Sequence, residues 1–299
     1  MGALRTLADL IDPWQQPGPI RVPLRLRPPL FHPDLPYIVF WSEKAGCTTV
    51  VKWFLAQVGI LEEALAADPW VHNYRVRHYS RSRRYIDRVV EALLSGDYTA
   101  VKVIRDPLRR AASSFLVLSE PGAVALDPHW VQDYRLDVRH WLMRQGRDPE
   151  AGINFLEHLD VISDAMRAGR FVDSHLLPQH TPGEETLLAD VIPIERFAAW
   201  CEAEAAAGRV KPVDMEAIRD SGHHHITDPT RTAALGDRPE EARITPALYA
   251  DGHYPSARAF INARSFPRLQ ALYGADLLAY GRHYPLPADL TPEIELSAN

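Results

Sequence analysis

Two short apolar runs constrain this chain more than any other feature. Tyr37-Ile38-Val39-Phe40-Trp41 and Tyr98-Thr99-Ala100-Val101-Lys102-Val103-Ile104 are too short for globular helices and rich in β-branched and aromatic residues, the pattern of strands buried on both faces. Each run stops at a polar loop that opens a helical pattern. After the first, Glu43 to Gly46 read as a turn, and Val50, Val51, Phe54, Leu55 and Val58 then recur at helical spacing until Gly59. After the second, Asp106 and Pro107 supply an N-cap and a first-turn proline for a helix running through Phe115 and Leu118. A helix over about 151–168 precedes Phe171-Val172, Val191 to Ile194 precede an alanine-rich helix over 195–207, and a last helix covers 265–280. Alternating strands and helices predict an α/β fold, a central and mostly parallel sheet flanked by helices, with loops at 119–130, 178–190 and 219–256. No internal repeat is visible.

Pro13, Pro17, Pro19, Pro23, Pro28, Pro29, Pro33 and Pro36 forbid a regular helix before the first strand, so residues 1–36 read as an extended arm and 37–299 as one domain. With 46% hydrophobic and 24% charged residues the chain can bury a sizeable core, which excludes a disordered or fibrous protein. A net charge of −6 argues against a surface that is basic throughout, hence against a nucleic-acid or anionic-membrane binder, and any anion site must be local. Cys47 and Cys201 are too few for a disulfide framework or a cysteine zinc site and fit a reducing, cytoplasmic setting. No stretch of about 18 apolar residues predicts a membrane span, and the N-terminus lacks a secretory apolar run. Gly2 followed by Thr6 matches the myristoylation pattern, a match short enough to arise by chance. His223-His224-His225 invites a metal reading, but consecutive side chains do not converge in regular structure, so no metal is expected.

In open α/β sheets ligands bind at the carboxyl ends of strands, where the next helix presents its free amides. Glu43-Lys44-Ala45-Gly46-Cys47-Thr48-Thr49 places a cation, a glycine and two hydroxyls there. The loop suits a phosphate, though its lysine precedes the glycine, unlike a Walker A sequence. The bland reading is a glycine turn with Thr48 capping its helix. The second strand ends in Arg105, with Arg110 and Ser113 three apart on one helical face, so that an anion is bracketed from two directions. Here the bland reading has Asp106 capping the helix and pairing with Arg110. Trp130, Tyr134 and Trp141 could stack on a sugar, but such spacing more often fills a core.

Together the two loops resemble the cofactor signatures of sulfotransferases that use 3′-phosphoadenosine-5′-phosphosulfate (PAPS). Lys44 to Thr49 is similar to the loop for the 5′-phosphosulfate, and Arg105 to Ser113 to the Arg-(x)7-Ser element for the 3′-phosphate. Lys44-Ala45-Gly46-Cys47-Thr48 with Lys52, and Arg105-Asp106-Pro107 with Arg110 and Ser113, are in the register of the carbohydrate sulfotransferases of the chondroitin and dermatan type. Fainter likeness lies in His175-Leu176-Leu177-Pro178-Gln179, in Val191 to Phe197 and in Leu272-Tyr273 with Asp276 and Tyr280, extending over about 37–281. Glu43 stands where the family usually carries proline, and no anchor like that of the Golgi relatives is present, which leads to the expectation of a soluble, bacterial-style enzyme.

The resemblance implies a P-loop-like sulfotransferase fold and transfer of a sulfuryl group to a hydroxyl of a carbohydrate or glycosylated small molecule. Lys44 would neutralise the leaving phosphate. Ala45, Gly46, Cys47, Thr48 and Thr49 would hold the 5′-phosphosulfate, Arg105 and Ser113 the 3′-phosphate, and no metal is demanded. An acceptor hydroxyl needs a base with a pKa near working pH, which favours histidine. In related enzymes the base commonly lies between the two loops, and of 13 histidines only His72 and His78 lie there; both stay open, with His175 and Glu43 behind them. The rivals are an ATP-dependent small-molecule kinase and a noncatalytic nucleotide-binding protein of the same fold.

Overall fold

The computed structural model describes residues 24–25, 27–82, 84–119, 129–170, 172–219, 226–243 and 253–290. The chain clusters as two compact units, 1–105 with 179–222 and 106–178 with 223–299. Neither is continuous in sequence, and no linker marks the first passage between them.

The first unit holds a parallel three-stranded sheet in the order β1 (Tyr37–Phe40), β2 (Thr99–Ile104), β3 (Asp190–Pro193). Val39 stands opposite Val101, and Val103 opposite Ile192. Period-2 alternation divides the strand side chains between two cores. Val39, Trp41, Val101, Val103 and Ile192 pack with α1 (Cys47–Gln57), α8 (Phe197–Ala206) and α9 (Met215–Arg219). Ile38, Phe40 and Ala100 pack with α4 (Tyr85–Ser95). Helices therefore cover the small sheet on both faces, which is why its strands read as nearly continuous apolar runs. Lys102 interrupts its run because its ammonium, 2% exposed, meets the Glu184 carboxylate at 2.6 Å. Between α1 and α4 the chain adds α2 (Leu61–Ala67), α3 (Val71–Tyr74) and a π-helical turn, Arg75–Tyr79, none of which the sequence pattern predicted.

In the described part of the proline-rich arm, Leu24 and Arg25 are helical, against the expected extended chain, and the stretch around Leu30 is tied down. Leu30 and Val39 exchange backbone hydrogen bonds of 2.9 Å, and Tyr85 Oη donates to the Pro29 carbonyl at 2.7 Å. Pro28 and Pro29, which lack the amide donor and fix φ, keep a helix from running on into this stretch.

The second unit contains α5 (Pro107–Ser119), α6 (His129–Arg144), α7 (Phe155–Arg167), α10 (Pro229–Ala233) and α11 (Phe266–Tyr280). Phe115, Phe155, Phe260, Leu269 and Tyr273 form its main core. Asp106 caps α5 as predicted, its Oδ1 accepting from the Leu108 and Arg109 amides. The helix expected from about 151 begins at Phe155, since Asn154 and Glu157 form a reciprocal capping box. Val172 is buried in coil rather than in a strand. The expected loop over 219–256 contains α10 and a two-stranded parallel sheet, β4 (Ile226–Thr227) and β5 (His253–Tyr254). Tyr134 and Trp141 are core residues, not a sugar platform; the Trp130 side chain and His223 to His225 lie outside the described residues.

Candidate functional site

The groups that the sequence singles out after β1 meet in the first unit. Lys44 and Gly46 both have left-handed backbone, φ 62° and 75°, so the chain turns sharply between Ser42 and α1. Lysine rarely adopts that region, and a strained non-glycine residue in a loop is a feature of binding sites. Gly46 has a second reason to be glycine: a Cβ there would lie within 2.5 Å of Ile194 Cγ1. Gly46 is also the N-cap of α1 and offers no side-chain acceptor. The first intrahelical bond runs from the Val50 amide to the Gly46 carbonyl, so the amides of Cys47, Thr48 and Thr49 precede the helical ladder and form the positive end of the macrodipole. Ala45 is buried, while Thr48 and Thr49 are half-buried.

Thr48 does not cap its helix. Its Oγ1 lies 3.2 Å from Nε2 of His72, on α3. The imidazole is framed by two indoles, Trp41 with ring centroids 6.0 Å apart and Trp70 edge-on at 5.7 Å. His72 Nε2 therefore faces the start of α1. His78 is exposed at the π-helical turn, its ring against Tyr74 at 5.1 Å, and no hydrogen bond or ring contact joins it to the loop among the described residues. Between the two sequence candidates, the tertiary structure brings only His72 to the loop.

Arg105, at the tip of β2, joins the same place. Its Nη1 donates to the Lys44 carbonyl at 3.0 Å. Its backbone is held from both sides by the fully buried Gln179, whose Oε1 accepts from the Arg105 amide at 3.0 Å and whose Nε2 donates to the Arg105 carbonyl at 2.8 Å. The His175-to-Gln179 segment thus contributes through Gln179, as a clamp that fixes a strand tip.

Glu43, the acid that departs from the resembling signature, is paired with Arg27 of the arm at 2.8 Å, which answers its charge beside the loop. Burial, reinforced by Glu43, pushes the Cys47 thiol up, which favours its protonated form.

The segment after β2 is used differently from expectation. Arg110, fully buried in the second unit, donates to the Leu177 carbonyl at 2.8 Å and the Ser174 carbonyl at 3.2 Å, so its guanidinium braces a turn instead of bracketing an anion. Nor does Asp106 pair with it: the Asp106 carboxylate lies 3.6 Å from Arg109. Ser113 sits on α5 of the second unit, 9% exposed. A cavity of about 160 Å³ in that unit is lined by Asp106, Arg109, Arg258 and Tyr284, with both arginines already facing acids, Arg258 at 3.7 Å from Asp289.

Among the described residues, no group of three His, Cys, Asp or Glu side chains is placed to hold a metal, and no helix is long and apolar enough to cross a membrane. Of the residues that the sequence singles out, Lys44, Gly46, Thr48, His72 and Arg105 come together in the first unit. Arg27 and the clamp formed by Gln179 carry no such signal, because only tertiary contacts give them a role. Comparison with protein-family models, with curated proteins and with solved structures returns no match for this chain.

Proposed function

We propose that this chain is a sulfotransferase of P-loop-like α/β fold that moves a sulfuryl group from PAPS to a hydroxyl of a carbohydrate or glycosylated small molecule. The observation that carries this reading is the 3.0 Å bond from Arg105 to the Lys44 carbonyl, which joins two cation-bearing strand tips beside the start of α1. An adenosine with phosphates on both its 3′ and 5′ ribose oxygens calls for two neighbouring cations; a single phosphate does not.

In this reading the amides of Cys47, Thr48 and Thr49 and the Thr49 hydroxyl hold the 5′-phosphate, and Arg105 binds the 3′-phosphate. Lys44 neutralises the charge that grows on the departing phosphate oxygen. His72 takes the acceptor proton at Nε2 as the acceptor oxygen bonds to sulfur, and the electron pair of the broken S–O bond leaves with the phosphate of adenosine 3′,5′-bisphosphate. Thr48 orients the imidazole until the acceptor arrives, an aligning role that the 3.2 Å contact supports.

The test is equilibrium binding followed by turnover. Adenosine 3′,5′-bisphosphate should bind at least tenfold more tightly than ADP, and Arg105→Met should remove most of that preference. With PAPS and a panel of small saccharides, His72→Ala should lower kcat about 100-fold or more while His78→Ala stays within about twofold. Equal affinity for the two nucleotides overturns the reading.

A further inference from the structure

Arg75 opens the π-helical turn that follows α3, a local irregularity that concentrates at functional sites. Its side chain is removed from water, 8% exposed, with the guanidinium carbon 4.5 Å above the Trp41 ring. It makes no hydrogen bond or ion pair with any described residue, and its Nε is buried without a partner. Glu43 does not neutralise it at contact distance, being bonded to Arg27. Yet Arg75 lies within electrostatic reach of Glu43 and of Cys47, the first residue of α1. A second buried donor, Ser42 Oγ, is likewise unpartnered in the loop between β1 and α1.

An arginine cannot escape burial by losing its proton, and an aromatic face answers only part of its charge. A buried guanidinium without an anion is unfavourable in a way that evolution readily removes with methionine or leucine. The positive end of α1 beside it makes the same demand for negative charge.

We propose that Arg75 is an anion-binding residue of this site, a cation that closes on a phosphate- or sulfate-type oxyanion held at the first turn of α1. Its Nε and Nη donors supply charge-assisted bonds that complement the amides of Cys47 to Thr49, and Trp41 holds the guanidinium plane in readiness. The oxyanion class follows from Arg75 and the helix start alone; that the oxyanion is the phosphosulfate end of PAPS rests on the function proposed above.

The full chain and its Arg75→Met and Arg75→Gln variants test this, with inorganic pyrophosphate and adenosine 3′,5′-bisphosphate as separate probes in calorimetric titration, and melting of the ligand-free proteins alongside. The expected result is a fivefold or greater loss of pyrophosphate affinity in both variants, with Arg75→Met melting at or above the wild-type temperature. Wild-type protein that does not bind pyrophosphate, or either folded variant within fivefold of wild type, overturns the proposal. If Arg75→Met does not fold, Arg75→Gln decides by the same threshold. Pyrophosphate binding that depends on Arg75, without preference for the bisphosphate over ADP, would leave Arg75 assigned and sink the sulfotransferase reading. Bisphosphate preference with pyrophosphate affinity indifferent to Arg75 would do the reverse.

Discussion

Arg110 in the second unit and Arg75 in the first are both arginines that the fold has withdrawn from water, 0% and 8% exposed, and they solve the problem of a buried charge in opposite ways. Arg110 gives its donors to the carbonyls of Leu177 and Ser174, so the cation is part of the architecture of its unit. Arg75 lies over an indole and reaches no acceptor among the described residues. Burial alone therefore says little about what a charged residue is for. A guanidinium that bonds to backbone carbonyls has a structural role, whereas one left with idle donors beside a helix N-terminus is shaped for something that arrives later. The same contrast separates the two loops: the turn after β1 keeps its polar groups gathered at one place, while the segment after β2 directs Asp106 and Arg110 to capping and bracing.

The sharpest way to break this contrast is to give both arginines the same substitution. Arg110→Met should cost about 4 kcal/mol, since two bonds from a charged donor are lost and the braced carbonyls are left in an apolar interior. Urea unfolding measures it, and a loss as small as that of Arg75→Met would erase the distinction.

His158 supplies a third answer to burial, one closed to arginine. It is fully buried in the second unit, bonded to the Tyr134 hydroxyl and packed against Phe115 and Phe155, and burial pushes its pKa down to about 3. Unfolded histidine titrates near 6.5, so below that pH the unfolded chain binds the extra proton. The stability contribution is complete above about pH 6.5 and is lost as pH falls toward 3, at about 1.4 kcal/mol per unit. From pH 6.5 to 4.5 this protonation should remove about 2 kcal/mol, and His158→Phe should flatten the slope by that amount in urea midpoints measured across the range. Parallel slopes in the two proteins would show that His158 is not the group responsible.

A smaller effect probes the loop beside Arg75. Gly46→Ala should destabilise by about 2 kcal/mol, partly from forcing alanine into left-handed backbone and partly from the clash with Ile194. A double-mutant cycle with Ile194→Ala should recover about 1 kcal/mol as coupling, and the absence of coupling would mean that the turn relaxes away from Ile194.

Much of the local structure was legible in the chain. The strands β1, β2 and β3 follow from apolar runs, α5 from the Asp106-Pro107 start, and the end of α1 from Gly59, where the Ile60 amide returns to the Leu55 carbonyl. Other elements left no periodic signal: α2, α3 and the π-helical turn are short and half-exposed, and β4 and β5 are two residues each, too brief for alternation to register. The division into two units was equally hidden, because the chain leaves the first at Arg105, inside an ordinary strand-to-helix connection.

By itself, then, the sequence determined where the main strands and helices start and that cations and hydroxyls cluster at one strand end, since each depends on neighbours a few residues away. Only the tertiary structure decided which polar groups are engaged and which are left idle. Arg105 is clamped by a glutamine 74 residues away, Arg110 is satisfied by a carbonyl 67 residues away, and Glu43 is answered from the arm 16 residues back. Whether a charge finds its partner at home depends on what the folded chain brings beside it in a medium of low polarity, and no local pattern encodes that meeting.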